Sequence, residues 1–139
     1  MIEINEGIKQ YSLAADGDDT FCVNGKATHF KVREFACKDG TDFMLIDSEL
    51  IEKLEVLRTY FNTPVIINSA FRTEKHNKEV GGAANSQHLH GRAADIVVKG
   101  VNPETVANFA VKIGFRGIGK YKNFTHVDTR DGNVTIWVG

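Results

Sequence analysis

The segment Ala93-Ala94-Asp95-Ile96-Val97-Val98 has the short, apolar, β-branched character of an interior strand, yet it carries a carboxylate at its centre. Alternate side chains of an extended strand share a face. Ala94, Ile96 and Val98 then turn toward a core, while Ala93, Asp95 and Val97 turn the other way. Phe124-Thr125-His126-Val127-Asp128 follows the same pattern, with Phe124, His126 and Asp128 on a common face. A carboxylate or an imidazole inside an apolar strand is costly to bury without a partner. A divalent cation shared by Asp95 and His126 would satisfy both, which requires two segments far apart in sequence to lie together.

The surrounding sequence punctuates itself clearly. Leu50, Leu54, Leu57 and Phe61 recur at helical spacing, Ile51 widens the stripe, and Asp47 or Ser48 can cap its start. Pro64 forbids continuation, and Val65–Ala70 reads as a buried strand. Thr73 can cap a short helix reaching Val80, which Gly81-Gly82 stops. Asn102-Pro103 opens a helix with a cap followed by proline at the first position, and its apolar stripe ends at Gly114. Strands are expected over 117–121, 124–128 and 134–138, with a turn at Asp131-Gly132-Asn133 joining the last two into a hairpin. Residues 1–30 show only short alternating segments around Asp16-Gly17-Asp18-Asp19. The pattern predicts an α+β fold with a central, mainly antiparallel sheet and flanking helices.

Composition removes several functional classes. At 139 residues the chain suits one domain, taken here as residues 1–139. Seventeen basic against eighteen acidic residues leave a net charge of −1, with no electrostatic footprint for nucleic acid or an anionic membrane. No apolar run approaches the roughly 18 residues that span a bilayer. The start, Met1-Ile2-Glu3-Ile4-Asn5-Glu6, lacks the apolar core of a signal peptide. Cys22 and Cys37 are too few for a thiolate zinc site and are expected as free thiols.

The histidines concentrate the chemistry. Ser86-Gln87-His88-Leu89-His90-Gly91-Arg92-Ala93-Ala94-Asp95 holds two of the five, and His126 is a third. Two imidazoles and one carboxylate on zinc leave a position for water, the arrangement of catalytic zinc sites. The pattern Ser86-x-His88-x-x-Gly91-x-Ala93-x-Asp95, followed by His126-x-Asp128, resembles the zinc D-alanyl-D-alanine carboxypeptidase family. Its relatives include D-Ala-D-Ala dipeptidases, phage L-alanyl-D-glutamate endopeptidases and the amino-terminal domain of hedgehog proteins. The resemblance extends through Asn68-Ser69-Ala70-Phe71-Arg72-Thr73, His76-Asn77 and Val80-Gly81-Gly82-Ala83, and covers roughly residues 30–139, leaving 1–30 as an extension packed on the domain.

The resemblance implies one zinc ion on His88, Asp95 and His126, in a hedgehog/DD-peptidase-like fold. It implies hydrolysis of peptide bonds in bacterial peptidoglycan stem peptides, by a D,D-carboxypeptidase or an endopeptidase. Arg72 matches the family arginine that binds a substrate carboxylate or stabilises the oxyanion, and Ser86 is expected to hold substrate or to orient His88. The usual acidic residue three positions before the last zinc histidine is replaced by Asn123. Asp128 is therefore the candidate general base, or else an acceptor that orients a zinc-bound imidazole. His90 could stabilise the tetrahedral intermediate or only line the site. His76 reads as structural, and Tyr121 and Trp137 as core residues rather than a cleft rim. The alternatives are a non-catalytic, zinc-stabilised binding module and a cytoplasmic D-Ala-D-Ala dipeptidase. A monomer is expected, made in the cytoplasm and acting on the cell wall after release or delivery.

Overall fold

A computed structural model describes residues 1–139. In chain order the elements are β1 (Ile2–Asn5), β2 (Ile8–Ser12), α1 (Leu13–Asp16), β3 (Thr20–Val23), β4 (Lys26–Lys31), β5 (Phe43–Asp47), α2 (Ser48–Phe61), β6 (Val65–Ser69), α3 (Glu74–Glu79), β7 (Ala93–Val98), α4 (Pro103–Lys112), β8 (Gly117–Lys120), β9 (Thr125–Asp128) and β10 (Thr135–Val138). Short 3₁₀ turns cover Val32–Phe35 and Gln87–His90. The fold is α+β, and no helix is long and apolar enough to cross a membrane.

The central sheet has the order β10-β8-β9-β7-β6, antiparallel throughout except for the outer β10–β8 pair. A second sheet, β1-β2-β5, is antiparallel, and β3–β4 form a separate ribbon. The expected hairpin between the last two strands is absent. β9 is already paired on both sides, with β7 and β8, so the chain leaving Asp128 cannot fold back onto it. It crosses to the free side of β8 and pairs there in parallel, Thr135 opposite Gly117 and Trp137 opposite Gly119. The hairpin is instead β8–β9, closed by Tyr121 N–H donating to the Phe124 carbonyl at 3.2 Å.

The helices form where the sequence supplies caps and apolar stripes. The Asp47 side chain accepts from Glu49 N–H at the start of α2, and Asn62 ends it in the left-handed region. Leu50, Ile51, Leu54 and Leu57 are buried on one side of α2. The Asn102 side chain caps α4, with Pro103 at its first position. Ala94, Ile96, Val98, Ile118 and Val127 belong to the main core together with residues of α2 and α4, leaving the opposite face of the sheet for polar groups. Phe21, Phe30 and Phe35 join the same core through edge-on contacts, with ring centroids 5.4 and 5.9 Å apart. Cys22 is exposed, Cys37 is buried, and both are free thiols.

Candidate metal centre

Strand register builds the site. Trp137, Gly119, His126, Asp95 and Ser69 lie in one row across β10, β8, β9, β7 and β6. The adjacent row on the same face holds Thr135, Gly117, Asp128 and Ala93. His88 arrives from the 3₁₀ turn before β7, which Ser86 caps by accepting from His88 N–H at 3.2 Å. Gly91 ends that turn at φ +72°, and a Cβ there would stand 2.2 Å from the Leu45 carbonyl oxygen, so glycine alone lets β5 pass. Asp47 N–H donates to the Gly91 carbonyl across the same contact, at 2.8 Å.

His88, Asp95 and His126 are all buried, and their ligand atoms lie within 4.8 Å of one another. The hydrogen bond behind His88 fixes its tautomer. His88 Nδ1 is 2.6 Å from the Ala70 carbonyl, which can only accept, so Nδ1 carries the hydrogen. The lone pair of His88 Nε2 then faces Asp95 Oδ1 at 3.3 Å. On the other imidazole, Nε2 lies 2.7 Å from Asp128 Oδ2 and Nδ1 lies 2.9 Å from Asp95 Oδ1. With Nε2–H given to Asp128, Nδ1 also turns a lone pair toward Asp95. With that tautomer three electron-rich atoms converge, an arrangement that positive charge placed among them satisfies. Two imidazoles and a carboxylate, each braced from behind, fit a divalent metal of the zinc type.

The electrostatics follow from this convergence. Burial alone would raise the Asp95 carboxyl, but hydrogen bonds with His126 and then His88 outweigh it and hold the group well below the usual carboxylate range. For His126 burial disfavours the charged ring, and the carboxylates of Asp128 and Asp95 overturn that and raise its pKa. Both shifts express one demand for positive charge at this point, met by a proton or by a metal ion.

Asp128 is fully buried and its lone pairs are committed. Arg130 donates to it from the backbone at 3.1 Å, from Nε at 2.9 Å and from Nη2 at 2.7 Å, and His126 takes the remaining direction. Burial alone would raise this carboxyl too, but hydrogen bonds from Arg130 and then His126 hold it well below the usual range. The carboxylate sits against Gly117, where a Cβ would fall 2.2 Å from both oxygens. It stands behind His126, on the opposite side of the ring from Asp95.

The remaining sequence candidates divide. Arg72 lines the pocket, donating from Nε to Ser69 Oγ at 3.2 Å, from Nη1 to Asn77 Oδ1 at 3.3 Å and from Nη2 to Asp95 Oδ2 at 3.4 Å. Two of its five N–H groups stay free. Ser86 also lines the pocket, whereas exposed His90 lies in a neighbouring cleft. The His76 ring has no hydrogen-bond partner, its backbone N–H being capped by Thr73. His29 pairs with Glu55 at 2.8 Å.

Tyr121 and Trp137 differ from expectation. They rim the pocket instead of entering the core, because the parallel addition of β10 sets Trp137 in the row of His126. Trp137 Nε1 donates to Tyr121 Oη at 3.0 Å, and the Trp137 and His126 ring centroids are 5.1 Å apart. Arg130, which packs its guanidinium 5.1 Å from the Trp137 ring centroid, escaped the sequence reading. Its one signal was a cation two residues after a carboxylate inside an apolar strand.

A family model described as peptidase M15 matches residues 27–128, a span that includes both strands and all three converging ligands. The chain belongs to the peptidase M15 family. Among family relatives, the zinc D-Ala-D-Ala carboxypeptidase of Streptomyces albus G is 28% identical over 152 residues, covering 88% of this chain and 58% of the relative. The peptidoglycan L,D-endopeptidase MepK of Escherichia coli K12 is 31% identical over 93 residues, covering 60% of this chain and 51% of MepK. The chain therefore spans little more than half the length of these M15 relatives.

Proposed function

We propose that this chain is a zinc-dependent peptidase that hydrolyses peptide bonds in bacterial peptidoglycan stem peptides, as a D,D-carboxypeptidase or an endopeptidase. The observation that carries the reading is the convergence of three possible ligand atoms, one each from buried His88, Asp95 and His126, within 4.8 Å of one another in the lining of an open pocket of about 600 Å³. One zinc ion held by these residues would acidify a bound water and polarise a substrate carbonyl. The two relatives, named for a D-Ala-D-Ala carboxypeptidase and a peptidoglycan L,D-endopeptidase, support the substrate class.

The protein's own groups fill distinct roles in this reading. Asp128, clamped by Arg130, keeps the Nε2 hydrogen on His126 and so keeps Nδ1 free to ligate; we assign it this orienting role in place of that of general base. The free N–H groups of Arg72 would grip a substrate carboxylate or the developing oxyanion with a planar fork. The Ser86 hydroxyl accepts from His88 N–H and retains its own proton to donate to substrate. Tyr121, Phe124 and Trp137 give one apolar side to the pocket and limit water there.

One observation favours a second reading, a zinc-stabilised binding module without hydrolysis. Asp95 is the sole carboxylate lining the pocket, and Asn123 occupies the position where a base stands in many members of the resembled family. Digestion of purified peptidoglycan with mass analysis of the products separates the two. The peptidase reading expects zinc-dependent release of stem-peptide fragments by the wild type and none by His126→Ala. Zinc binding with no released fragments would establish the binding module.

A further inference from the structure

Beside the metal pocket lies a second cleft of about 680 Å³, and Asn85, Gln87 and Arg130 belong to the walls of both. Asn5, Asn85, Gln87, His90, Asn133 and Thr135 line it, and none of these side chains hydrogen-bonds within the protein. Gln87 Oε1 and Arg92 Nε, also from its walls, are the two buried side-chain polar atoms without a partner. A buried polar atom left unpaired is costly, so small side-chain shifts that gave these atoms partners would be favourable. Four carboxamides in one cleft offer donors and acceptors together.

The backbone around the cleft has the same character. Asn5 lies on β1 and Thr135 on β10, and each strand is the outermost of its sheet. An edge strand leaves a row of N–H and C=O groups unpaired. On β10, the N–H groups of Thr135 and Gly139 donate to the Arg116 and Lys120 carbonyls beside them, so alternation turns those of Ile136 and Val138 outward. Much of the wall, including Asn5, Asn133 and Thr135, falls outside the 27–128 span of the family match.

The ligand that complements carboxamides and sheet edges is an extended chain of amides. Charge does not dominate the cleft, since Arg92 is paired with Asp131 at 3.2 Å and Arg130 with Asp128 at 2.7 Å. No Phe, Tyr or Trp side chain lines it, so it lacks the broad apolar platform on which a sugar ring packs. The geometry points to a second subsite that holds an extended peptide segment of the substrate, away from the bond at the metal centre. This rests on the peptidase reading for the identity of the substrate, while peptide binding in the cleft is tested separately. The subsite makes the protein prefer long peptides to the terminal dipeptide.

The test uses the zinc-loaded full chain, ¹⁵N-labelled, with two probes: N-acetyl-D-alanyl-D-alanine, and a full stem peptide ending in the same dipeptide. The long probe is expected to shift the backbone amides of Asn5, His90 and Asn133 and to bind about tenfold tighter, the worth of one to two added hydrogen bonds. The short probe shifts only amides near His88 and His126. Asn133→Ala, on the exposed rim, and Arg92→Met are each expected to reduce the long-to-short affinity ratio severalfold. Equal affinities for the two probes, or unmoved His90 and Asn133 amides, would overturn the subsite. So would equal shifts there from a peptide-free glycan. If neither probe is hydrolysed but length-dependent binding persists, the subsite stands and the D,D-carboxypeptidase form of the reading falls, while digestion of whole peptidoglycan decides the endopeptidase form.

Discussion

At the scale of single residues, the site turns on one imidazole held between two carboxylates. His126 faces Asp95 at 2.9 Å and Asp128 at 2.7 Å, and Arg130 decides how the two acids differ by saturating the second. The orienting role proposed for Asp128 makes a direct prediction. Asp128→Asn removes the charge that holds the His126 tautomer and should weaken zinc binding by about 10- to 100-fold. Competition with a chromophoric chelator measures this, and an unchanged affinity would refute the orienting role. Gly117→Ala approaches the same carboxylate from the neighbouring strand. Its methyl would stand 2.2 Å from Asp128, so the carboxylate must move. A loss of about 1–3 kcal/mol in urea denaturation is expected, accompanied by weaker zinc binding. Stability lost without any change in zinc affinity would separate the packing effect from the site.

At the scale of elements, α2, α3 and α4 are legible because their ends are coded locally, whereas the single turn α1 is not marked in the sequence. Asp47, Thr73 and Asn102 all accept a backbone N–H at the starts where the sequence places them. Asn102→Ala should cost about 1 kcal/mol in thermal or urea unfolding and leave zinc affinity untouched, because α4 lies on the core face of the sheet and the candidate ligands His88, Asp95 and His126 on the other. A matching fall in zinc affinity would contradict that separation. The strands were legible as segments, and their partners less so. The turn signal at Asp131-Gly132-Asn133 is genuine, with Gly132 at φ +88°. The chain around it nevertheless carries β10 to the far side of β8. A turn motif specifies a change of direction, whereas the strand's eventual neighbour depends on which sheet edge is still vacant. β5 was missed altogether, being five residues placed by pairing with β2 and by its contact at Gly91.

At the scale of the whole molecule, Arg116 ties the sheet to the helical layer. It donates to both oxygens of Glu49 on α2 at 2.9 Å, and to the Thr129 and Arg130 carbonyls beyond β9. Hydrogen bonds from Arg116 are the main cause of the lowered Glu49 pKa. A carboxyl depressed in the folded state stabilises fully above its unfolded value, here the ordinary 4.5. Below that pH the unfolded chain takes up its proton first, and the contribution is lost as pH falls through the folded value. Glu49→Gln should therefore be less stable than wild type by about 0.5–1 kcal/mol at pH 7, with the gap closing below pH 4.5. Urea unfolding across pH checks it, and a gap independent of pH would exclude the ion pair as its cause.

The amino-acid sequence by itself determined the helices α2 to α4, the strand segments β6 to β10, and the candidates His88, Asp95 and His126, because capping, periodicity and polar residues within apolar strands are local signals. It could not determine which side of His126 Asp128 would occupy, that Arg130 would saturate that carboxylate, or that His90 would fall into a separate cleft. Those outcomes required the register of five strands and the parallel placement of β10, which also brought Trp137 and Tyr121 to the pocket rim. Hydrogen-bond geometry between strands distant in sequence is set by sheet closure and competition for edges, and no local pattern encodes either.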